Sequence, residues 1–195
     1  GVPISRSEIQ ADLARRKLGY GRGSRMKFEE DELTISSGVV HGMSLGSPIA
    51  LRIANTEWPK WVEVMSAEPI ELTEKSRGRG AALTRPRPGH ADLTYWLKYG
   101  IRDPRGGGRS SARETAARVA AGSVAREALK ALAPGVKITG YMVQMGRLRA
   151  DRDRFDPEEV ERNPFWCPDA AAAAIWAEHL DELRKSGNSV GAVVE

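Results

Sequence analysis

A single histidine, His90, sits inside a crowd of arginines. Between Arg77 and Arg118 the sequence carries ten basic residues, Arg77, Arg79, Arg85, Arg87, Lys98, Arg102, Arg105, Arg109, Arg113 and Arg118. Only three acidic residues, Asp92, Asp103 and Glu114, stand against them. Guanidinium groups this close repel one another unless an anion neutralises them, so the segment implies a phosphate-bearing partner. The turn Gly106-Gly107-Gly108-Arg109 runs into Ser110 and Ser111, and Ser111 with Glu114 has capping-box spacing. Backbone N–H groups, an arginine and two hydroxyls then meet at one helix start, which suits a phosphate. A plain capped helix is the competing reading, and a Walker loop is excluded because no Gly-Lys-Ser/Thr follows. For His90 two readings stay open, a titratable group in an anion site and a histidine that only completes a hydrogen bond.

A second basic stretch runs from Arg15 to Arg25, through the glycine-rich sequence Gly19-Tyr20-Gly21-Arg22-Gly23. It follows a helix rather than a strand, so a dinucleotide fingerprint is a poor account of its glycines. A solvated loop is the plain alternative. The whole chain, at 195 residues and net charge +4, is only mildly basic, so the excess is local and argues for a site rather than a general nucleic-acid coat. One cysteine, Cys167, excludes an internal disulfide, and with three histidines makes no metal centre. Apolar runs fall short of a bilayer span and the start lacks a signal-peptide pattern, so no membrane partner is expected and a cytoplasmic location is; the local character of the charge excess argues against a nucleic-acid partner. The absence of initiator Met and a terminal apolar run, residues 190–195, read as a piece of a longer chain.

The positioning elements follow from pattern. Ser5 and Glu8 form a capping box for a helix carrying Ile9 and Leu13 and ending by Gly19. Alternating apolar residues predict strands over 32–40 and 48–55, joined as an antiparallel hairpin through a linker holding His41, Gly42 and Gly46. Residues 68–89 read as one long loop. Asp92 is expected to N-cap a helix whose Leu93, Trp96 and Leu97 share a face. The helix after Ser111 should run to about 133, with a strand over 136–145, a charged connection over 147–169, and a last helix from an Asp169 cap to about 185. In that helix Ile175, Trp176, Leu180 and Leu183 are expected inward, with Gly187 as terminator. His179 in the same helix and His41 in its loop read as solvated.

At this point the sequence resembles the chorismate synthases. The likeness rests on RPGHAD around His90, on KYGIRDPRGGGRSSARETAARVAAG from Lys98 to Gly122, on NTEWPKW from Asn55, and on DLARRKLGYGRGSRM from Asp12. The resemblance implies an α+β fold of helices sandwiched between antiparallel β-sheets, the chain forming a single domain of a larger subunit that assembles as a homotetramer. It implies conversion of 5-enolpyruvylshikimate 3-phosphate to chorismate by anti 1,4-elimination, a lyase reaction of aromatic amino acid biosynthesis. Reduced FMN is the cofactor, with NADPH serving flavin reduction in some members. By matching position, His90 is the catalytic proton donor; Arg16, Arg22, Arg25, Arg87 and Arg113 bind substrate; Arg109, Ser110 and Ser111 bind flavin; no metal is implied. The family's Ser-His-Gly histidine has no counterpart here, so the chain by itself is expected to be inactive. A basic nucleic-acid-binding module is the alternative, weakened because the basic stretches lack interleaved aromatic stacking faces.

Overall fold

The structure, a computed structural model, describes residues 1–23, 25–88, 90–105 and 113–195, and the side chains of Arg25 and Lys27 fall outside the description. The chain separates into two compact units, one of residues 1–14 and 28–131, the other of residues 15–27 and 132–195.

In the first unit, helix α1 (Arg6–Arg15) begins as its capping residue predicts, with the Glu8 amide donating to Ser5 Oγ at 3.2 Å. The Glu8 carboxylate does not close the box. It accepts from Lys130 Nζ at 2.8 Å, and that bond lowers its pKa. Past short helix α2 (Arg25–Phe28), whose first three residues belong to the second unit, strand β1 (Leu33–Ser37) pairs antiparallel with β4 (Ala50–Ile53) in the register Leu33 to Ile53 and Ile35 to Leu51. Between them, β2 (Val39–Val40) and β3 (Met43–Ser44) add a smaller hairpin that the linker reading did not include. Its two-residue turn, His41 at φ 48° and Gly42 at φ 77°, has the handedness that matches strand twist. His41 thus has a backbone task. β1 bulges between Ile35 and Ser37, and Gly38, at φ 82°, lets the chain just after it pass close to the start of the partner strand, since a Cβ there would lie 2.5 Å from the Pro48 carbonyl oxygen.

The expected loop over 68–89 contains helix α3 (Glu74–Arg79), capped by Thr73, whose hydroxyl accepts from the Ser76 amide at 3.3 Å. Ser76 and Thr73 hydroxyls donate to Glu63 Oε2 at 2.5 and 3.0 Å, and these bonds hold the Glu63 carboxyl below its usual range. Helix α4 (Asp92–Tyr99) is present, but Leu93, Trp96 and Leu97 all stay exposed. Helix α5 (Glu114–Leu132) buries Ala116, Ala120, Ser123 and Glu127, one stripe of small residues and a paired carboxylate. Ile4, Ile9 and Leu13 meet Leu33, Ala116 and Ala120 in the core, with Ile35, Leu51 and Ile53 packed around them. Two helices cover a sheet, and burial of these aliphatic side chains at about 1.5–3 kcal/mol each dominates its stability.

The second unit has a three-stranded antiparallel sheet ordered β6 (Leu148–Arg149), β5 (Met142–Met145), β7 (Ala192–Val194). The strand expected over 136–145 is confined to its last four residues, because the residues before Met142 find no ladder partner apart from Tyr141, which exchanges backbone bonds with Glu195. Helix α6 (Ala170–Lys185) has its predicted cap: Asp169 Oδ1 accepts from the Ala171 and Ala172 amides at 3.1 and 3.3 Å. Trp176 is fully buried with Ala172 and Ala173 against Met145, Phe165 and Cys167. Ile175, expected inward, is exposed, because the two alanines take the face toward the sheet. The antiparallel sheets and helices of the two units make the fold α+β.

Asp169 also accepts from Arg154 at 2.9 Å while only 1% exposed, and the guanidinium brings its pKa down from 3.8 to about 2. A carboxylate depressed in the folded state contributes stability that is complete above its unfolded pKa and lost as pH falls through the folded one. The contribution is about 2 kcal/mol, lost between about pH 4 and pH 2. Asp169→Asn should therefore lower stability at neutral pH and flatten the stability curve over that window. Urea midpoints measured from pH 2 to pH 7 check it, and a parallel curve for the variant would refute it.

Candidate functional site

The residues that the sequence singles out divide between the two units. His90, Arg87 and Arg113 belong to the first; Arg16, Arg22 and Arg25 belong to the second. Arg109, Ser110 and Ser111 lie outside the described residues, as do the three glycines before them and Gly89 ahead of the histidine.

His90 stands two residues before α4, whose N-cap is Ala91 rather than the expected Asp92. The Asp92 side chain turns back to the preceding loop instead. Its Oδ2 accepts from the Arg87 amide and from Arg102 Nη1, both at 3.1 Å, and Asp92 is buried. Charge explains the difference: a carboxylate beside a guanidinium forms a stronger bond than one to a helix amide. Arg102 then donates to the Leu83 carbonyl and lies over the Trp96 ring, 5.7 Å from its centre. Asp92 and Arg102 thus pin the two loops that flank His90. The histidine itself is half-buried, and its Nδ1 is sealed from solvent with no hydrogen-bond partner among the described residues. An orphaned ring nitrogen costs about 1–3 kcal/mol, so it marks a place where a partner is missing.

Arg113 sits at the foot of α5. Its Nη1 donates to Glu29 Oε2 at 2.8 Å and to Asp31 Oδ1 at 2.6 Å, and its Nη2 donates to the Ala54 carbonyl. Glu29 is 3% exposed and Asp31 1%. The repulsion counted from sequence is thus met in part inside the protein, by Glu29 and Asp31 for Arg113, Asp92 for Arg102 and Asp103 for Arg105. Glu29 and Asp31 escaped sequence reasoning. Their signal was the acidic run Glu29-Glu30-Asp31-Glu32 that follows the basic loop directly.

In the second unit, Arg16 is half-buried and Arg22 exposed. Arg22 Nε donates to the Leu18 carbonyl at 2.8 Å, and no carboxylate among the described residues pairs with it. Arg87 is likewise exposed without a carboxylate partner among the described residues. Among the described residues no cluster of His, Cys, Asp and Glu could hold a metal, and no helix is long and apolar enough to cross a membrane. Cys167 is buried, and that burial pushes its thiol pKa up, which makes it a poor nucleophile.

Fold and side chains together define an α+β protein in which His90 and exposed Arg87 of the first unit, and exposed Arg22 of the second, each offer a contact to a polar or anionic ligand. The chain belongs to the chorismate synthase family, whose model matches residues 1–195. It is 55% identical to a protein of Ruegeria pomeroyi named chorismate synthase, over all of this chain and 49% of that one. A Jannaschia protein of the same name is also 55% identical, over all of this chain and 48% of its own length. A solved structure described as "Crystal Structure of Chorismate Synthase" superposes with TM-score 0.65 at 29% identity, covering 99% of this chain and 48% of that one. The chain spans about half the length of the curated relatives it matches.

Proposed function

We propose that this chain is part of a chorismate synthase subunit, a lyase that converts 5-enolpyruvylshikimate 3-phosphate to chorismate and phosphate by anti 1,4-elimination. The two units are then parts of one catalytic domain, in a cytoplasmic homotetramer of the shikimate pathway. The observation that carries the reading is the unpartnered, sealed Nδ1 of His90, at the centre of the most specific motif. A polar ring ligand could supply the hydrogen bond that Nδ1 lacks among the described residues, so the residues present are compatible with a flavin. Reduced FMN, when bound, supplies the electron-rich ring that makes departure of the phosphate feasible without net redox change.

Arg109, Ser110 and Ser111 would hold the flavin, and NADPH would serve its reduction. His90 holds a proton shielded from water and gives it to the bound partner rather than to solvent. Arg22 and Arg87, together with Arg16 and Arg25, supply charge to a substrate bearing one phosphate and two carboxylates. Charge-assisted bonds of about 1.5–3 kcal/mol each would let such arginines offset the cost of their desolvation on a ligand with several anionic groups. Arg113 meets Glu29 and Asp31 first, so its contact with the phosphate is shared with those carboxylates.

Binding is testable on the 195-residue chain. Oxidised FMN with substrate at about 100 times the dissociation constant should stabilise it by about 2.7 kcal/mol, seen as a rise in Tm. An unchanged Tm with both ligands would sink the reading. Under anaerobic conditions with reduced FMN the chain alone is expected to release no phosphate, since it carries one of the family's two catalytic histidines.

A further inference from the structure

The basic loop of the second unit is built more firmly than its glycines suggest. Tyr20, at its centre, makes three separate attachments. Its amide donates to the Pro164 carbonyl at 3.1 Å, its ring lies 5.2 Å from that of Phe165, and its hydroxyl donates to Asp181 Oδ2 of α6 at 2.8 Å. Gly19, at φ 119°, allows the close approach that follows. A Cβ there would lie 3.0 Å from the Trp166 ring and 3.3 Å from Arg22 Nε. At the loop's entry, Arg15 stacks over Trp166 and pairs with Glu161 at 2.6 Å. Arg22 is therefore fixed through its Nε to the Leu18 carbonyl, on a loop whose backbone is fixed by Tyr20.

We infer that Tyr20 and Asp181 are positioning residues: their hydrogen bond clamps residues 16–22 onto α6 and presets Arg22 for the anionic groups of the substrate. The inference rests on the reading of Arg22 as a substrate ligand. A loop with Gly19, Gly21 and Gly23 loses much conformational freedom when it must order around a ligand, and ordering it beforehand removes that cost from binding. The Asp181 bond raises the Tyr20 phenol pKa, so the hydroxyl remains a donor across the physiological range. Neither residue touches the substrate, and their effect passes through the arginine.

Two measurements test this. In the 195-residue chain, Tyr20→Phe should speed hydrogen exchange over residues 18–22 while leaving α6 protected. In the complete subunit, the same variant should raise KM for 5-enolpyruvylshikimate 3-phosphate about fivefold at unchanged kcat, the loss of one hydrogen bond's worth of preorganisation. Asp181→Ala should reproduce that rise, Asp181→Asn, which keeps an acceptor for the hydroxyl, should restore most of the parent KM, and the Tyr20→Phe/Asp181→Ala double variant should be no worse than either alone. Unchanged exchange in Tyr20→Phe overturns the clamp. Faster exchange with an unchanged KM overturns the positioning role, provided Arg22→Ala itself raises KM. If Arg22→Ala leaves KM unchanged, the ligand reading of that arginine fails and this inference fails with it.

Discussion

Replacing Arg113 by alanine is expected to destabilise the first unit by about 3–5 kcal/mol, the cost of removing one partner from a buried ionic cluster. Arg113 joins the start of α5 to the segment at residues 29–31 and to the residue after β4, elements far apart in the chain. Glu29 and Asp31 are both buried, so without the guanidinium both would lose the counter-charge they share in a poorly solvated site. Arg113→Lys should recover little. An ammonium is a single point charge and cannot reproduce the fork that reaches two carboxylates and a carbonyl together. Adding Glu29→Gln and Asp31→Asn to Arg113→Ala should return about half of the loss, because amides carry no charge to bury. Urea titration of the four proteins measures this directly. A shift below about 1 kcal/mol for Arg113→Ala, typical of exposed pairs, would show the cluster to be an ordinary surface bridge.

The largest effect on activity is expected from His90→Ala. In the complete subunit kcat should fall by a factor of about 10²–10⁴, the usual contribution of a placed general acid or base, with KM for substrate little changed. The split matters, since a histidine that only supports the fold would lower stability and affect both parameters together. Stability should in fact hold or improve slightly, because among the described residues the Nδ1 of His90 has no hydrogen bond to lose, and removing it removes an unsatisfied buried group. A variant that melts well below the parent, or keeps its kcat, would make His90 structural.

Much of the local structure was legible in the sequence. The Ser5 and Asp169 caps, the extent of α6, and the pairing of the strands at 33–37 and 50–53 all depend on neighbours a few residues away or on simple alternation. The family was legible too, because RPGHAD and the Lys98 to Gly122 string are long and contiguous. Composition also revealed where positive charge gathers. What it could not reveal was how much of that charge the protein answers itself.

Sequence alone thus determined the Ser5 and Asp169 caps, the longer helices, one hairpin and the arginine-rich segments, since these are properties of short stretches. Only the tertiary structure decided that Arg113 meets Glu29 and Asp31, that Asp92 abandons its cap for Arg102, and that the apolar residues of α4 remain exposed. The reason is the range of the interaction. A cap competes among a handful of nearby amides, whereas a guanidinium can satisfy itself with any carboxylate that folding brings within reach, and Arg113 takes partners more than eighty residues away.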